Sequence, residues 1–314
     1  MRTFALALFA ALSTLPSHAQ DWPSKPIRIV VPFAPGGAAD VWARIIAEPL
    51  SAALKQSVVI ENRGGSGGMI AAQQVARAEP DGYTLLVGGL APQIIAPAIA
   101  ANPGFDTLKD FAHIAYIGGP PIVWVADPKN ELRTVKDVIA AAKADKLSGY
   151  ASSGVGTFGH LVVEYVAKRE GLKLNHIPYN TAAFADIIGG RVPFGSFTWG
   201  AALGQIKGGT LRGLAVTTES RRPEAPDMPT FKELGYDLVA STWFSFAAPK
   251  GTPAAIVARL NAETIRILKL PEVRERLVRD AFDPKEFTPE QLTAYFAAEI
   301  ERWRPVAQAA GMTK

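Results

Sequence analysis

The residues of this chain that could do chemistry are concentrated in glycine-bearing loops, each between a predicted strand and a predicted helix. The first such loop follows the β-branched strand 27–31 and precedes a helix with apolar spacing. Its residues are Phe33, Ala34, Pro35, Gly36, Gly37, Ala38, Ala39 and Asp40. A turn of this kind leaves backbone N–H groups unpaired at the positive end of a helix dipole, which predicts binding of a carboxylate or phosphate. The alternative is that Gly36 and Gly37 only permit a tight turn.

A second glycine-bearing loop follows another predicted strand. Gly154, Gly156 and Gly159 match the pattern G-x-G-x-x-G and open a predicted helix. A dinucleotide site would need an acid about 20 residues later to hold the ribose, but the next strand ends in HIPYN at 176–180. We therefore interpret the loop as a second anion-binding site. Its hydroxyl donors are Ser152, Ser153 and Thr157.

A third glycine cluster, GGSGG at 64–68, matches the nucleophile-elbow pattern G-x-S-x-G. Acyl hydrolysis by Ser66 would need a histidine downstream, and the candidates are His113, His160 and His176. The alternative is a flexible turn. His160 lies on the first turn of the helix after the second loop, so it could instead face a ligand or bond a nearby carbonyl.

The composition indicates a two-domain globular protein. The chain has 314 residues, of which 48% are apolar and 20% charged. A net charge of +4 carried by scattered basic residues argues against nucleic-acid binding. The absence of cysteine excludes a disulfide framework and a thiolate metal site. No H-E-x-x-H motif or acidic calcium loop is present, so we expect neither metal nor cofactor.

Residues 1–19 have the features of a secretory signal peptide. Arg2 supplies a positive charge, 4–12 are continuously apolar, and Ser17-His18-Ala19 is a small-x-small cleavage site. We predict a released mature protein that begins at Gln20. A cysteine-free exported chain of this size is typical of a bacterial periplasm.

Strands and helices alternate along the mature chain. Strands predicted at 27–31, 57–61 and 83–87, with short loops and intervening helices, indicate a parallel doubly wound sheet. The same rhythm resumes over 134–217, and the strand-like segment 238–248 leads back toward the first unit. We therefore predict a first domain formed by 20–121 and 245–314, with a second domain, 122–244, inserted into it.

Five aromatic residues lie at strand ends and turns of the predicted second domain. They are Phe158, Tyr179, Phe184, Phe197 and Trp199. Packing in the core is the first expectation for any one of them, and their placement at strand ends and turns favours a position for some of them in a cleft.

Several short motifs follow one another along the mature chain. They are WPSKPI at 22–27, VPFAPGG at 31–37 with Asp40, ENR at 61–63, PDGYTLL at 80–86, Pro178-Tyr179, LRGLAVT at 211–217 and AAP at 247–249. In this order they resemble the solute receptors of tripartite tricarboxylate transporters, the Bug-type binding proteins. The resemblance covers nearly the whole mature chain.

This resemblance implies an α/β, type II periplasmic-binding-protein fold, with two Rossmann-like domains and a cleft between them. It implies a monomeric, non-enzymatic receptor that captures a small organic carboxylate and delivers it to a membrane permease. In such receptors the turn corresponding to 33–40 holds the carboxylate, and the loops corresponding to 152–160 and 179–181 form the opposite wall. A soluble sensor for a membrane kinase and a hydrolase using Ser66 are the alternatives.

The chain departs from the family pattern on this opposite wall. It has Tyr179-Asn180-Thr181 where Tyr-Lys-Gly is usual, and VPFGSFT at 192–198 lacks two usual aspartates. Phe197 and Thr198 stand on that strand, so Phe197 makes the wall apolar. We hypothesise an aromatic dicarboxylate ligand such as terephthalate, with aliphatic dicarboxylates as the second choice.

Overall fold

The computed structural model describes residues 22–179 and 183–309. The predicted signal peptide, Asn180 and Thr181 lie outside these described residues. The ten strands of the described part form two five-stranded sheets. The first sheet has the order β2-β1-β3-β10-β4, with β1 Ile27–Val31, β2 Val58–Asn62, β3 Thr84–Gly89, β4 Phe111–Gly118 and β10 Phe244–Pro249. The second has the order β7-β6-β8-β5-β9, with β5 Ile122–Ala126, β6 Tyr150–Ser152, β7 His176–Pro178, β8 Phe194–Thr198 and β9 Arg212–Val216.

Helices follow most strands, including those predicted after the first and second glycine-bearing loops. They are α1 Ala38–Leu54, α2 Met69–Ala76, α3 Ala96–Ile99, α4 Val135–Lys143, α5 Phe158–Glu170, α6 Phe184–Ile188, α7 Trp199–Lys207, α8 Ala254–Leu268, α9 Pro271–Arg279 and α10 Pro289–Ala309. A short 3₁₀ turn, Ser66–Gly68, precedes α2, and a π-helical turn, Ala91–Ile95, precedes α3. In the described residues, no helix is long and apolar enough to cross a bilayer.

Both sheets are mixed, whereas the sequence predicted a parallel doubly wound sheet. β1 runs parallel to β2 and β3, but β10 pairs antiparallel with both β3 and β4. In the second sheet β6 runs parallel to β7 and β8, while β5 is antiparallel to β8 and β9. The βαβ rhythm predicts a parallel direction only for strands joined through a helix. The antiparallel strands, β5 and β10, are those that the chain enters when it passes from one sheet to the other.

The chain passes between the two sheets twice, once between β4 and β5 and once through the segment between β9 and β10. At the second passage the Thr242 N–H donates to the Pro120 carbonyl at 2.8 Å, so the two connections lie side by side. Pro121 and Ser241 also form an isolated antiparallel bridge. The predicted domain boundaries, at 121/122 and 244/245, stay a prediction.

Each sheet has one place where neighbouring parallel strands lead to opposite faces. In the first sheet β1 leads to α1 on one face, and β3 leads to the π-helical turn beside α2 on the other. In the second sheet β6 leads to α5 on one face and β8 leads to α7 on the other. Such switch points leave a crevice beyond the carboxyl ends of the strands, where α/β proteins bind ligands.

Candidate functional site

A cavity of about 440 Å³ lies where the switch points of the two sheets face each other. The first sheet contributes the loop after β1, the start of α1 and β10, and the second contributes the loops after β6 and β8. The lining residues are Phe33, Ala34, Pro35, Gly36, Gly37, Ala38, Ala39, Val41, Trp42, Ala91, Pro120, Ile122, Ser153, Thr157, Phe158, Gly159, Ser196, Phe197, Thr198, Gly200, Ala201, Thr242, Phe244, Asp280 and Phe282.

Three helix N-termini converge on this cavity. Residues of the first turn of each helix line it: Ala38 and Ala39 of α1, Phe158 and Gly159 of α5, and Gly200 and Ala201 of α7. The first N–H groups of a helix have no intrahelical acceptor and carry the positive end of the helix dipole. Among the described residues, no lysine, arginine or histidine lines the cavity, and the one ionisable lining residue, Asp280, accepts from Arg279 at 3.3 Å. The cavity can therefore attract an anion through backbone dipoles alone.

At the α1 end, the free donors are not the glycine N–H groups themselves. The Gly36 N–H donates to Oδ2 of Asp40 at 2.9 Å, and the Gly37 N–H points to the Ala34 carbonyl at 3.3 Å. In the described part of the chain, the N–H groups of Ala38 and Ala39 have no acceptor. The glycines shape the turn, and the first helical residues present the donors.

Asp40 stabilises this turn and does not line the cavity. It is 3% exposed. It accepts hydrogen bonds from Nε of Arg44 at 3.1 Å and from Nδ2 of Asn62 at 2.9 Å. Burial alone would raise the pKa of Asp40, but the hydrogen bonds from Arg44, Gly36 and Asn62 outweigh it and lower the pKa. Asp40 is therefore a carboxylate that the turn itself uses.

At the α5 end, Thr157 caps the helix and two donors remain free. Oγ1 of Thr157 accepts from the His160 N–H at 3.4 Å and donates to the Gly154 carbonyl at 2.8 Å. Among the described residues, the N–H groups of Phe158 and Gly159 have no acceptor. The second loop thus presents donors to the cavity from the wall opposite α1.

His160 lies beneath this loop, outside the cavity lining. Its Nδ1 accepts the Gly156 N–H at 3.3 Å, which places the ring proton on Nε2. Its ring stacks on His176 at 3.9 Å, and Nε2 of His176 lies 2.7 Å from Oγ of Ser152. Burial, with the neighbouring His176, lowers the pKa of His160 to about 3, and burial lowers that of His176 to about 4. Both rings are neutral supports of the loop.

Of the other predicted site residues, some border the cavity and some lie elsewhere. Ser153 and Thr198 line the first cavity, while Gly156 lines a second one. Ser152 is fully buried, and the Tyr179 hydroxyl donates to Asp186 outside both cavities.

The aromatic residues are more buried than the sequence indicated. Phe158 borders the cavity but is fully buried against Trp303, and Phe197 is 1% exposed with its ring edge-on to Phe184 at 5.2 Å. Trp199 is also fully buried. Phe33 also lines the cavity and is only half-buried, so it offers more surface than Phe158 or Phe197. The ends of strands β6 and β8 therefore serve mainly as core.

Several lining residues were missed by the sequence analysis. They include Ser196, Gly200, Ala201, Thr242, Phe244, Asp280 and Phe282. The strand β8 followed directly by α7 was a signal for the first three, because it repeats the strand-to-helix arrangement of the two predicted loops. The last four come from segments remote in sequence, and no local pattern indicates them.

A second cavity, of about 930 Å³, adjoins the first along Phe33, Ala34 and Pro35. It is lined by the GGSGG loop of 64–68 and by the loop of 153–157. In the described residues, Ser66 has no hydrogen bond to a histidine or an acid. His160 and His176 stack on each other and His113 stacks on Phe296, so these three rings are engaged away from Ser66. The geometry gives no support to a nucleophile elbow.

Comparisons with known proteins agree with this architecture. The model of the tripartite tricarboxylate transporter family receptor matches residues 42–312. BugT of Bordetella pertussis strain Tohama I is similar, with 36% identity over 301 residues that cover 94% of this chain and 92% of BugT.

Solved structures are similar over the same extent. R. palustris Rpa4515 with adipate has a TM-score of 0.85 and 32% identity, covering 93% of this chain and 99% of that chain. MatC from Rhodopseudomonas palustris with bound malate has a TM-score of 0.84 and 29% identity, covering 91% and 99%. These similarities confirm the predicted fold class, two α/β domains of the periplasmic-binding-protein kind. The chain therefore belongs to the family of tripartite tricarboxylate transporter receptors.

Proposed function

We propose that this protein is a periplasmic receptor that captures a small dicarboxylate and delivers it to a tripartite transporter permease. The observation that carries the proposal is the convergence of three helix N-termini on one largely apolar cavity, which no cationic residue of the described ranges lines. Such a site favours an anion over a cation, because each terminus offers N–H donors and a partial positive charge.

Two acidic groups fit the arrangement better than one. The N-terminus of α1 belongs to the first sheet's side of the cavity, and those of α5 and α7 belong to the second sheet's side. A ligand with a carboxylate at each end would use donors on both sides. The adipate and malate bound by the two Rhodopseudomonas palustris neighbours support a dicarboxylate.

Within this class we favour an aromatic dicarboxylate such as terephthalate, with aliphatic dicarboxylates second. The lining between the helix ends is apolar and includes Phe33, Phe244 and Phe282. A flat ring against an aromatic side chain gains about 0.5 to 1.5 kcal/mol beyond the burial of its area. Citrate would bring polar groups to an apolar middle and leave them without partners.

Calorimetry of terephthalate, benzoate, adipate and citrate tests the ligand class. Because Phe197 is buried, Phe33→Leu is a better probe of the aromatic contact, and Phe105→Leu, at an equally half-buried site outside both cavities, is its control. We expect Phe33→Leu to weaken terephthalate roughly 2- to 12-fold and adipate much less. Tighter binding of citrate than of either dicarboxylate, or an equal effect of Phe33→Leu on both dicarboxylates, would contradict the aromatic assignment.

The remaining parts of the proposal concern location and partner. We propose export through the signal peptide of residues 1–19, a monomeric mature protein and no enzymatic turnover. A soluble sensor that presents the same ligand to a membrane kinase is the second candidate. Uptake of labelled dicarboxylate by cells lacking the receptor gene separates the two, because loss of the receptor abolishes uptake only if it serves a permease.

A further inference from the structure

Two hydroxyl groups that line the first cavity lack any protein partner in the described residues. Ser196 is fully buried and its Oγ makes no hydrogen bond. Thr242 is 8% exposed and its Oγ1 is equally without a partner. Buried hydroxyls are nearly always hydrogen-bonded, so each such exception calls for an explanation. A bound ligand is the explanation that their position suggests.

Ser196 stands directly beside the N-terminus of α5. A Cβ built on Gly159 would lie 2.7 Å from the Ser196 carbonyl and 3.5 Å from its Oγ. The absence of a side chain at Gly159 therefore lets the strand and the helix end approach closely. It also leaves the Ser196 hydroxyl close to Gly159, one of the two first residues of α5 whose N–H groups have no acceptor in the described chain.

The N-terminus of α7 begins three residues after Ser196 and faces the same cavity. The Trp199 N–H is used by the Pro121 carbonyl at 2.8 Å. Gly200 and Ala201 line the cavity, and within the described chain their N–H groups have no acceptor. A Cβ on Gly200 would meet nothing within 4 Å, so this helix end is open.

We propose that Ser196 and the N-terminus of α7 form the subsite for the second carboxylate, and that this subsite makes the receptor prefer dicarboxylates to monocarboxylates. The inference rests on the proposed function. A carboxylate has two oxygens with about four lone-pair sites. The Ser196 hydroxyl and the N–H groups of α5 and α7 can fill these sites without any cationic side chain. Thr242 adds a hydroxyl from the segment between the sheets.

The first test compares Ser196→Ala with Ser245→Ala. Ser245 is the matched control, because it is also fully buried with an unpartnered Oγ but does not line the cavity. Affinities are measured for adipate and terephthalate, each against its monocarboxylate counterpart, hexanoate or benzoate. We expect Ser196→Ala to weaken the dicarboxylates roughly tenfold or more, since hydrogen bonds to charged groups are the strong ones. The affinity of Ser196→Ala for benzoate and hexanoate should change little, and Ser245→Ala should bind all four acids about as the wild type does. Both variants should melt no lower than the wild type.

The second test uses charge on α7. Gly200→Asp places a carboxylate in the first turn of the helix, where it favours folding but repels a bound anion. Gly204→Asp, on the same helix and also with open space around its Cβ, is the control. We expect Gly200→Asp to lose dicarboxylate binding at least tenfold while keeping its melting temperature, and Gly204→Asp to bind normally.

The outcomes separate this inference from the proposed function. If the wild type binds none of the four acids, the proposed function fails with the inference. The wild type could instead bind dicarboxylates while Ser196→Ala weakens a dicarboxylate and its monocarboxylate counterpart equally, or weakens neither of them. In that case the proposed subsite is wrong and the proposed function stands. Normal dicarboxylate binding by Gly200→Asp would likewise overturn the subsite.

Discussion

Oδ2 of Asp40 accepts the Gly36 N–H at 2.9 Å, so the carboxylate at the third position of α1 closes the turn that precedes the helix. A carboxylate on the protein thus occupies the donor that the sequence suggested for a ligand. The ligand is left with the N–H groups of Ala38 and Ala39. The relationship explains why a receptor for acids carries an acid in its binding loop.

Asp40→Ala should destabilise the fold and weaken ligand binding indirectly. The substitution removes the acceptor of the Gly36 N–H and one of the two acceptors of the Asn62 amide, which still donates to the Phe33 carbonyl at 3.0 Å. The loss of these partly buried hydrogen bonds to a charged group costs about 1 to 3 kcal/mol. Urea unfolding of Asp40→Ala and Asp40→Asn measures the effect, with a smaller loss expected for Asn because it keeps an acceptor oxygen. Equal stability of Asp40→Ala and the wild type would show that the turn does not depend on this carboxylate.

Gly37→Val should fold but bind at least about tenfold more weakly, a loss of about 1.4 kcal/mol. Gly37 has φ −70°, which any residue can adopt, and a Cβ there would lie 3.3 Å from the Ala34 carbonyl. The branched side chain would therefore strain the turn only slightly while occupying the cavity mouth. Calorimetry with the tightest dicarboxylate measures the loss, and unchanged affinity would remove Gly37 from the site.

Stability should fall as the pH drops below about 6.5, with His113 as one cause. Burial lowers the pKa of His113 to about 4, so the unfolded chain takes up a proton in a range where the folded protein does not. Each such group costs up to about 1.4 kcal/mol of stability per pH unit between its two pKa values. His160 and His176 act in the same direction, while the raised pKa of Glu164 opposes them.

His113→Leu isolates this contribution. The leucine keeps an apolar contact with Phe296 but binds no proton, so the loss of stability between pH 7.5 and pH 5 should be smaller than in the wild type. Urea midpoints at the two pH values provide the measurement. An identical loss in both proteins would mean that His113 does not contribute.

Ligand should close the cleft, and Gly67 is placed to control closure. A Cβ on Gly67 would lie 2.9 Å from the Val155 carbonyl on the opposite loop. We expect X-ray scattering to give a smaller radius of gyration for the wild type with saturating dicarboxylate, and a smaller decrease for Gly67→Ala. Gly171→Ala is the control, because Gly171 has a similar φ of +67° with nothing within 4 Å. Equal decreases in all three proteins would exclude this contact from closure.

The elements could be predicted from sequence because local patterns specify them. Strand β1 was predicted over the observed 27–31, and the loops of 33–40 and 154–159 were both recognised from glycines between a strand and a helix. The antiparallel strand β10 was assigned no direction, because its partners are more than a hundred residues away in sequence. Burial of Phe197 was missed for a related reason, since Phe184 covers its ring from a different element.

A thermal-shift panel tests the central claim, that the cavity is a dicarboxylate site, most directly. The mature protein is heated with adipate, terephthalate, a diamine of the same length as adipate, and a neutral sugar. The account predicts a higher melting temperature with at least one dicarboxylate, about 2.7 kcal/mol of added stability at a hundredfold excess over its dissociation constant, and no shift with the diamine or the sugar. A shift with the diamine or the sugar, and none with either dicarboxylate, would contradict it.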